Sequence, residues 1–314
     1  MGCQPVNDCC RSPRLAILGA SGIGDVHARV IHHLGGKVVA ILGRTEESTA
    51  TTSDRLDQRF GFRPHPHTCL DNLLSEQPLD GVVVSTPPQY HADQLLTLGR
   101  LKIPVFCEKP LFDAAGSSHE AAWRTLDSLK RHGAMPAFLG ISNSYFASGI
   151  PFRGSKNIQR LAFSFHTNGP HRNAAIAWDL LPHGFSILHA LGINGPITNA
   201  RHQVAPYRFQ ADFLMGGADV SFDFCQGPDI GKHFCITING DQIFERVQQG
   251  QGQTYRVFLR NAKGELLKIE DPFVSAMRDF FHYMNGRKMN SPCQKAEANM
   301  RQVLLFAGCV GLLP

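Results

Sequence analysis

An aspartate and a histidine four residues apart, Asp179 and His183, sit in the segment Ala177-Trp178-Asp179-Leu180-Leu181-Pro182-His183, which is otherwise apolar enough to be core. On a helix that spacing is a little over one turn, so both side chains fall on one face. A carboxylate beside an imidazole is suited to moving one proton, because histidine titrates near neutrality and the acid can orient it or hold a substrate hydroxyl. Upstream, Cys107-Glu108-Lys109-Pro110 closes a short apolar run with a lysine. A cation at the carboxyl end of a buried strand stands where ligands bind in open α/β sheets, and it would stabilise an alkoxide forming on a substrate. Lys109, Asp179 and His183 are therefore the candidate catalytic residues. Taken alone, Asp179 would serve as a helix cap and His183 as a satisfied core histidine.

Such residues need elements to bring them together. Residues 14 to about 110 alternate short Val/Ile/Leu runs with amphipathic segments: RLAILGA, a helix through His27 to Leu34, KVVAILG, a helix around Ser53 to Phe60, GVVVSTP, a helix from His91, then IPVFCEK. That rhythm is the signature of a parallel sheet covered on both faces. From about Phe138, FLGISNSYF, IQRLAFSFHT, ADFLMGGADVSFDFC, HFCITING, DQIFERVQ and TYRVFLRN read as strands, with one helix over Ala177 to Leu191. Turn residues at Asn239-Gly240-Asp241 and Ala262-Lys263-Gly264 predict a mostly antiparallel sheet. The tail from Pro272 returns to helical spacing, with Phe273, Met277, Phe280 and Phe281 on one face. The expected architecture is α/β plus α+β: a frayed tail over 1–12, a doubly wound Rossmann domain over 13–133, and an open, mostly antiparallel domain over 134–314 whose final helices can fold back onto the first.

The segment LAILGASGIGDVHARV follows the first strand and opens a helix, the context a dinucleotide-binding turn requires. Gly19 allows the tight turn and Gly24 the close packing of helix on strand, while free amides around Ser21, Gly22 and Ile23 face a pyrophosphate. Ser21 stands where the fingerprint has its second glycine, with Gly22 directly after it. A turn that simply needs small residues is the alternative. The second strand ends in Gly43-Arg44-Thr45, without the acid that holds ribose hydroxyls in NAD enzymes. Arg44 can instead stack on adenine and pair with a 2′-phosphate, so NADP(H) is expected over NAD(H). Thr86, Pro87, His91 and Glu108, at the ends of the next two strands, complete the expected cofactor site.

In this order and spacing, the glycine turn with His27, the Thr86-Pro87 strand end with His91, the Glu108-Lys109-Pro110 turn, and Asp179 with His183 resemble the glucose-fructose oxidoreductase, inositol dehydrogenase and rhizopine catabolism (Gfo/Idh/MocA) family. The resemblance covers nearly the whole chain. It implies a sugar-like substrate between a nucleotide-binding domain and an open antiparallel sheet, which often mediates a homo-oligomer, here a dimer or tetramer. It also implies that Lys109 orients the substrate near the nicotinamide and that His183 exchanges the proton. Two positions depart from the family pattern: Ser186 stands where an aspartate often follows the histidine, and Tyr145 replaces an arginine before Phe146. Asn143, Tyr145, His166, Asn168, His171 and Arg172 are candidates for the sugar pocket, since polar side chains bunch there; solvated loop residues are the alternative.

Composition narrows the remaining classes. With 43% hydrophobic and 18% charged residues among 314, and no apolar run of bilayer-crossing length, a soluble globular protein is expected. The net charge of +5 comes from scattered Lys and Arg, which gives nucleic-acid binding little support. Nine cysteines without a zinc-like pattern read as reduced thiols in a cytoplasmic protein, including the Cys3, Cys9 and Cys10 cluster of a tail with no signal-peptide core. No metal is expected, His65 and His67 lacking a third ligand. Trp178 is as suited to the core as to stacking on a sugar. The expected function is an NAD(P)-dependent oxidoreductase acting at a secondary alcohol or ketone of a sugar, polyol or nucleotide-sugar derivative. Its alternatives are a non-catalytic nucleotide-binding sensor, an imine reductase, and a lyase or glycosidase that recycles its nicotinamide.

Overall fold

A computed structural model describes residues 12–76, 78–151, 158–250, 255–287 and 292–313. Cys3, Cys9, Cys10 and all of the expected tail but Ser12 lie outside the described residues. The first domain alternates β1 (Arg14–Leu18), α1 (Ile23–His33), β2 (Lys37–Leu42), α2 (Glu46–Phe60), β3 (His65–His67), α3 (Leu70–Glu76), β4 (Gly81–Val84), α4 (His91–Arg100), β5 (Val105–Cys107), α5 (His119–Arg131) and β6 (Phe138–Leu139). The six strands are parallel, in the order β3-β2-β1-β4-β5-β6. Leu15 to Leu18 and Val82 to Val84 are fully buried, because helices cover both sheet faces. The helix expected from Ser53 starts earlier, at Glu46, where Thr45 Oγ1 accepts from the Ser48 amide at 3.3 Å.

The parallel sheet runs past residue 133, the expected boundary, because β6 pairs with β5. The run FLGISNSYF is not one strand: after Leu139 the chain forms α6 (Ser142–Ser148). Its buried residues Ser142, Asn143, Phe146 and Ala147 form two adjacent pairs four residues apart, a helical face rather than strand alternation.

The second domain contains β7 (Arg160–Thr167), α7 (Ala175–Ala190), β8 (Ile197–Ala205), β9 (Arg208–Met215), β10 (Ala218–Gln226), β11 (His233–Ile238), β12 (Gln242–Gln249), β13 (Arg256–Asn261) and β14 (Leu266–Ile269), followed by α8 (Pro272–Met284) and α9 (Pro292–Cys309). Its sheet has the order β14-β13-β12-β11-β7-β10-β9-β8, antiparallel except where β7 meets β10. ADFLMGGADVSFDFC proves to be a hairpin, with Gly216 and Gly217 at φ 59° and 89° making the turn between β9 and β10.

Alternation along β10 sends Val220, Phe222 and Phe224 inward and leaves Ser221, Asp223 and Cys225 on the outer face. The inner face carries α7. Phe185 meets Phe213 and Phe222 at centroid distances of 5.9 and 5.8 Å, and a Cβ on Gly184 would lie 2.6 Å from the Phe222 ring. That glycine lets α7 lie flat against the sheet. Helix α8 folds back onto the first domain, with Phe280 at 5.8 Å from both Phe106 and Phe138. Trp178 is buried in the core. Among the described residues no helix is long and apolar enough to cross a membrane, and Cys69, Cys107, Cys225, Cys235, Cys293 and Cys309 are free thiols.

Candidate active site

The glycine-rich turn lies where the strand order reverses, between β1 and β4. Gly19 has φ 85°, and a Cβ there would lie 2.8 Å from the Ser85 carbonyl oxygen. At Gly24 a Cβ would lie 2.0 Å from the Gly19 oxygen, so both positions exclude any larger residue. Ser85 Oγ donates to the carbonyls of Leu18 and Gly19 at 3.1 and 3.0 Å, stapling the two strand ends together. Gly22 begins α1 at φ 58° with open space around it and no side-chain cap, which leaves the first amides, next to exposed Ser21 and to Ile23, for an anion. Helix α2 braces this turn through two arginines that the sequence reading missed. Arg55 donates to the Ala20 carbonyl at 3.2 Å, and Arg59 pairs with Asp25 at 2.6 Å. Arg44 is exposed at the end of β2, whose Leu42 carbonyl accepts from the Gly19 amide at 2.9 Å.

Two expected cofactor ligands are placed elsewhere. Glu108 turns inward: its carboxylate lies 2.7 Å from His27 Nε2 and accepts from the Lys109 amide at 3.2 Å. A Cβ on Gly140 would lie 2.6 Å from that carboxylate, so the chain leaves room for it there. His91 is fully buried, with Nε2 2.7 Å from the Thr86 carbonyl and Nδ1 3.0 Å from the Pro110 carbonyl. Burial pulls its imidazole below the ordinary value, against the pull of those two carbonyls. Both residues clamp the turns that end β4 and β5 and face away from solvent. Thr86 Oγ1 donates to Gln94 at 2.7 Å, and Pro87 is exposed at the mouth.

The clamped β5 turn delivers Lys109 to α7 of the other domain. Its ammonium pairs with the Asp179 carboxylate and reaches the Asp179 carbonyl at 3.3 Å. Gln226, at the end of β10, donates to the second Asp179 oxygen. Arg172 stands behind Gln226, donating to the carbonyls of His171 and Gly169 at 2.6 and 3.3 Å and approaching that of Gln226 at 3.4 Å. Its guanidinium stacks 4.6 Å over Tyr207. Asn168 and His171 are exposed.

Burial pushes the Asp179 carboxyl up, but Lys109, with help from His183 and Gln226, pulls it down to about 2. His183 is buried edge-on to Phe165 at 5.4 Å. Burial first, then Lys109 and Arg246, lower its imidazole to about 3 against the opposing pull of Asp179. At neutral pH the pocket thus holds an ionised acid and a neutral histidine. Ser186 does not face the pocket, because its hydroxyl donates to the His183 carbonyl at 2.7 Å. Pro182 lies within α7 and leaves the Trp178 carbonyl without its helical donor, while the Pro182 carbonyl accepts from Asn299 at 2.8 Å.

Two expected sugar-pocket residues lie outside the cleft. Strand alternation along β7 puts Phe165 against His183 and His166 on the outer face, 3.4 Å from Asp223. There His166, Asp223 and Cys225 bring donor atoms within 4.8 Å of one another, the one such group among the described residues, but Arg208 already holds both Asp223 oxygens at 2.6 and 3.0 Å. Tyr145 points to α8, where its hydroxyl donates to Asp279 at 2.9 Å; burial and that carboxylate raise its phenol. His67 lies 3.8 Å from Glu76. Asn143 is buried, and its Oδ1 accepts at 2.8 Å from Arg246 of β12, a residue that sequence reasoning missed. The available signal was parity: alternation along DQIFERVQ puts Arg246 on the same inward side as buried Phe244.

Residues 13–139 match a family model described as "Oxidoreductase family, NAD-binding Rossmann fold", that of Gfo/Idh/MocA. The inositol 2-dehydrogenase of Acidothermus cellulolyticus is 26% identical over 168 residues, which are 53% of this chain and 47% of that protein. The chain thus spans about half the length of that curated relative. The UDP-N-acetylglucosamine 3-dehydrogenase of Acidithiobacillus ferrooxidans superposes with a TM-score of 0.70 at 14% identity, over 96% of this chain and 98% of the other. The myo-inositol 2-dehydrogenase of Lactobacillus plantarum does so with a TM-score of 0.68 at 15% identity, over 93% and 95%. At these identities the two structures establish a shared fold. With its glycine turn at the sheet's switch point, its Glu108-Lys109-Pro110 turn and its open second sheet, the chain resembles the Gfo/Idh/MocA family, whose NAD-binding model its first domain matches.

Proposed function

We propose that the protein is an NAD(P)-dependent oxidoreductase moving a hydride between a nicotinamide cofactor and a secondary alcohol or ketone of a sugar, polyol or sugar derivative. The observation that carries this reading is the ion pair of Lys109 with Asp179, beside neutral His183, where the Rossmann turn meets the second domain. The residues present fit a dinucleotide. Gly19 and Gly24 leave no space for a side chain, and the uncapped start of α1 suits a pyrophosphate. Arg44 supports a 2′-phosphate and hence NADP(H).

When bound, the nicotinamide supplies a two-electron acceptor or donor of hydride. In the oxidation direction His183 takes the hydroxyl proton as the carbon–hydrogen bond breaks and the carbonyl forms. Lys109 stabilises negative charge developing on that oxygen, and Asp179 and Gln226 fix the ammonium in place. Reduction runs the same steps in reverse, with His183 returning the proton.

The decisive variant is Lys109→Met, assayed by cofactor absorbance on a polyol and sugar panel. Turnover should fall about a thousandfold with nucleotide affinity unchanged within about threefold. Near-normal turnover would overturn the role of Lys109, and product formation without net cofactor change would favour the recycling lyase or glycosidase.

Because oxidation needs neutral His183, and its folded value lies below the ordinary 6.5, activity should be lost only as pH falls well below 6.5. An acid limb of kcat/KM at or above 6.5 would contradict this.

In a fluorescence titration, Arg44→Ala should weaken NADPH binding about tenfold and NADH binding little. Equal losses for both nucleotides would remove the phosphate assignment.

A further inference from the structure

Arg246 lies on the inner face of β12, over the rings of Phe234 and Phe165 at 4.2 and 5.6 Å. Phe165 is also the ring that His183 meets at 5.4 Å, so the guanidinium and the imidazole border the same aromatic wall. A guanidinium carries five N–H donors in a planar fork. One is used on Asn143 Oδ1 at 2.8 Å. Among the described residues no carboxylate forms an ion pair with Arg246, and Asp271, whose field reaches it, is paired with Arg29 at 3.7 Å. Burial draws the guanidinium down to about 10, outweighing the opposing pull of Tyr255 and Asp271. Asn143 is 1% exposed, and its Nδ2 has no hydrogen-bond partner. The Asn143 Nδ2 donor, left unmatched in a desolvated wall, is costly unless something arrives to accept from it.

We infer that the substrate carries a carboxylate, which Arg246 receives through its free fork edge with Asn143 Nδ2 as the adjoining donor. The charge count favours a carboxylate over a dianionic phosphate: Lys109 is neutralised by Asp179, so Arg246 offers one net positive charge. The flat aromatic walls on Phe234 and Phe165 likewise suit a planar anion, and Arg pairs with carboxylates in a two-point fork. A sugar acid, an aldonate or a uronate, combines that group with the secondary hydroxyl that the catalytic residues require. This inference rests on the oxidoreductase reading for its hydroxyl, but the carboxylate site stands on Arg246 and Asn143 alone.

The test uses the full chain saturated with NADP⁺ and matched acid and neutral pairs: gluconate with sorbitol, galactonate with galactitol, and glucuronate and galacturonate with glucose and galactose. Binding is read by thermal shift and calorimetry, turnover by cofactor absorbance. At least one acid should bind about tenfold or more tighter than its neutral partner. In Arg246→Gln that preference should vanish through a rise in KM or Kd for the acid, with Arg246→Lys intermediate and NADPH affinity unchanged in both. Should Arg246→Gln not fold, the comparison of acid with neutral ligand on the unaltered protein decides. If no acid is preferred over its partner, the inference is overturned even when neutral sugars are oxidised. If an acid binds through Arg246 but no cofactor is reduced, the carboxylate site stands and the oxidoreductase reading fails.

Discussion

The arrangement depends on one ion pair crossing from one domain to the other, Lys109 of the β5 turn with Asp179 of α7. Its two ends come from different domains, so neither makes the site alone. The pair is mostly shielded from solvent, and removing one partner of such a pair leaves an uncompensated charge that costs about 3–5 kcal/mol in buried settings. Much of the surrounding structure exists to hold its two ends. His27 and Glu108 fix the lysine turn from below, His91 ties it to the neighbouring strand end, and Gln226 with Arg172 fixes the carboxylate.

That pair also sets the protonation of what lies beside it. Asp179 stays ionised because the ammonium outweighs the penalty of burial, and His183 stays neutral because burial and two nearby cations outweigh one carboxylate. A neutral imidazole in a site lined by Lys109 and Arg246 can accept a proton without adding a third buried positive charge at rest. Among the described residues Arg246 has no ion-paired carboxylate, since Asp179 serves Lys109 and Asp271 serves Arg29.

Much of this was legible in the sequence where a residue's role follows from local spacing. Continuous apolar runs identified the parallel strands, the glycines at 19 and 24 identified the turn, and helical spacing placed Asp179 and His183 on one face. Roles that depend on absolute strand parity or on tertiary partners were not legible. His166 and Phe165 are neighbours in sequence, and which of them faces the cleft is fixed only by how β7 packs on α7. Glu108 and His91 read as cofactor ligands because strand ends hold ligands, yet both are consumed in holding backbone turns. The sequence run around Tyr145 suggests a strand, but buried contacts at helical spacing make that segment α6 and turn the phenol to Asp279. Arg246 stands in an ordinary polar run whose parity with Phe244 points it inward, but its two phenylalanine walls come from other strands and are not legible there.

The measurement that tests the central claim most directly is a crystal structure of the protein bound to NADP⁺. The account predicts the pyrophosphate on the amides that open α1, with the nicotinamide ring in van der Waals contact with the Lys109 turn and its C4 facing the side of Asp179 and His183. A nicotinamide bound away from that turn, or a Lys109 released from Asp179 and directed to solvent, would contradict it.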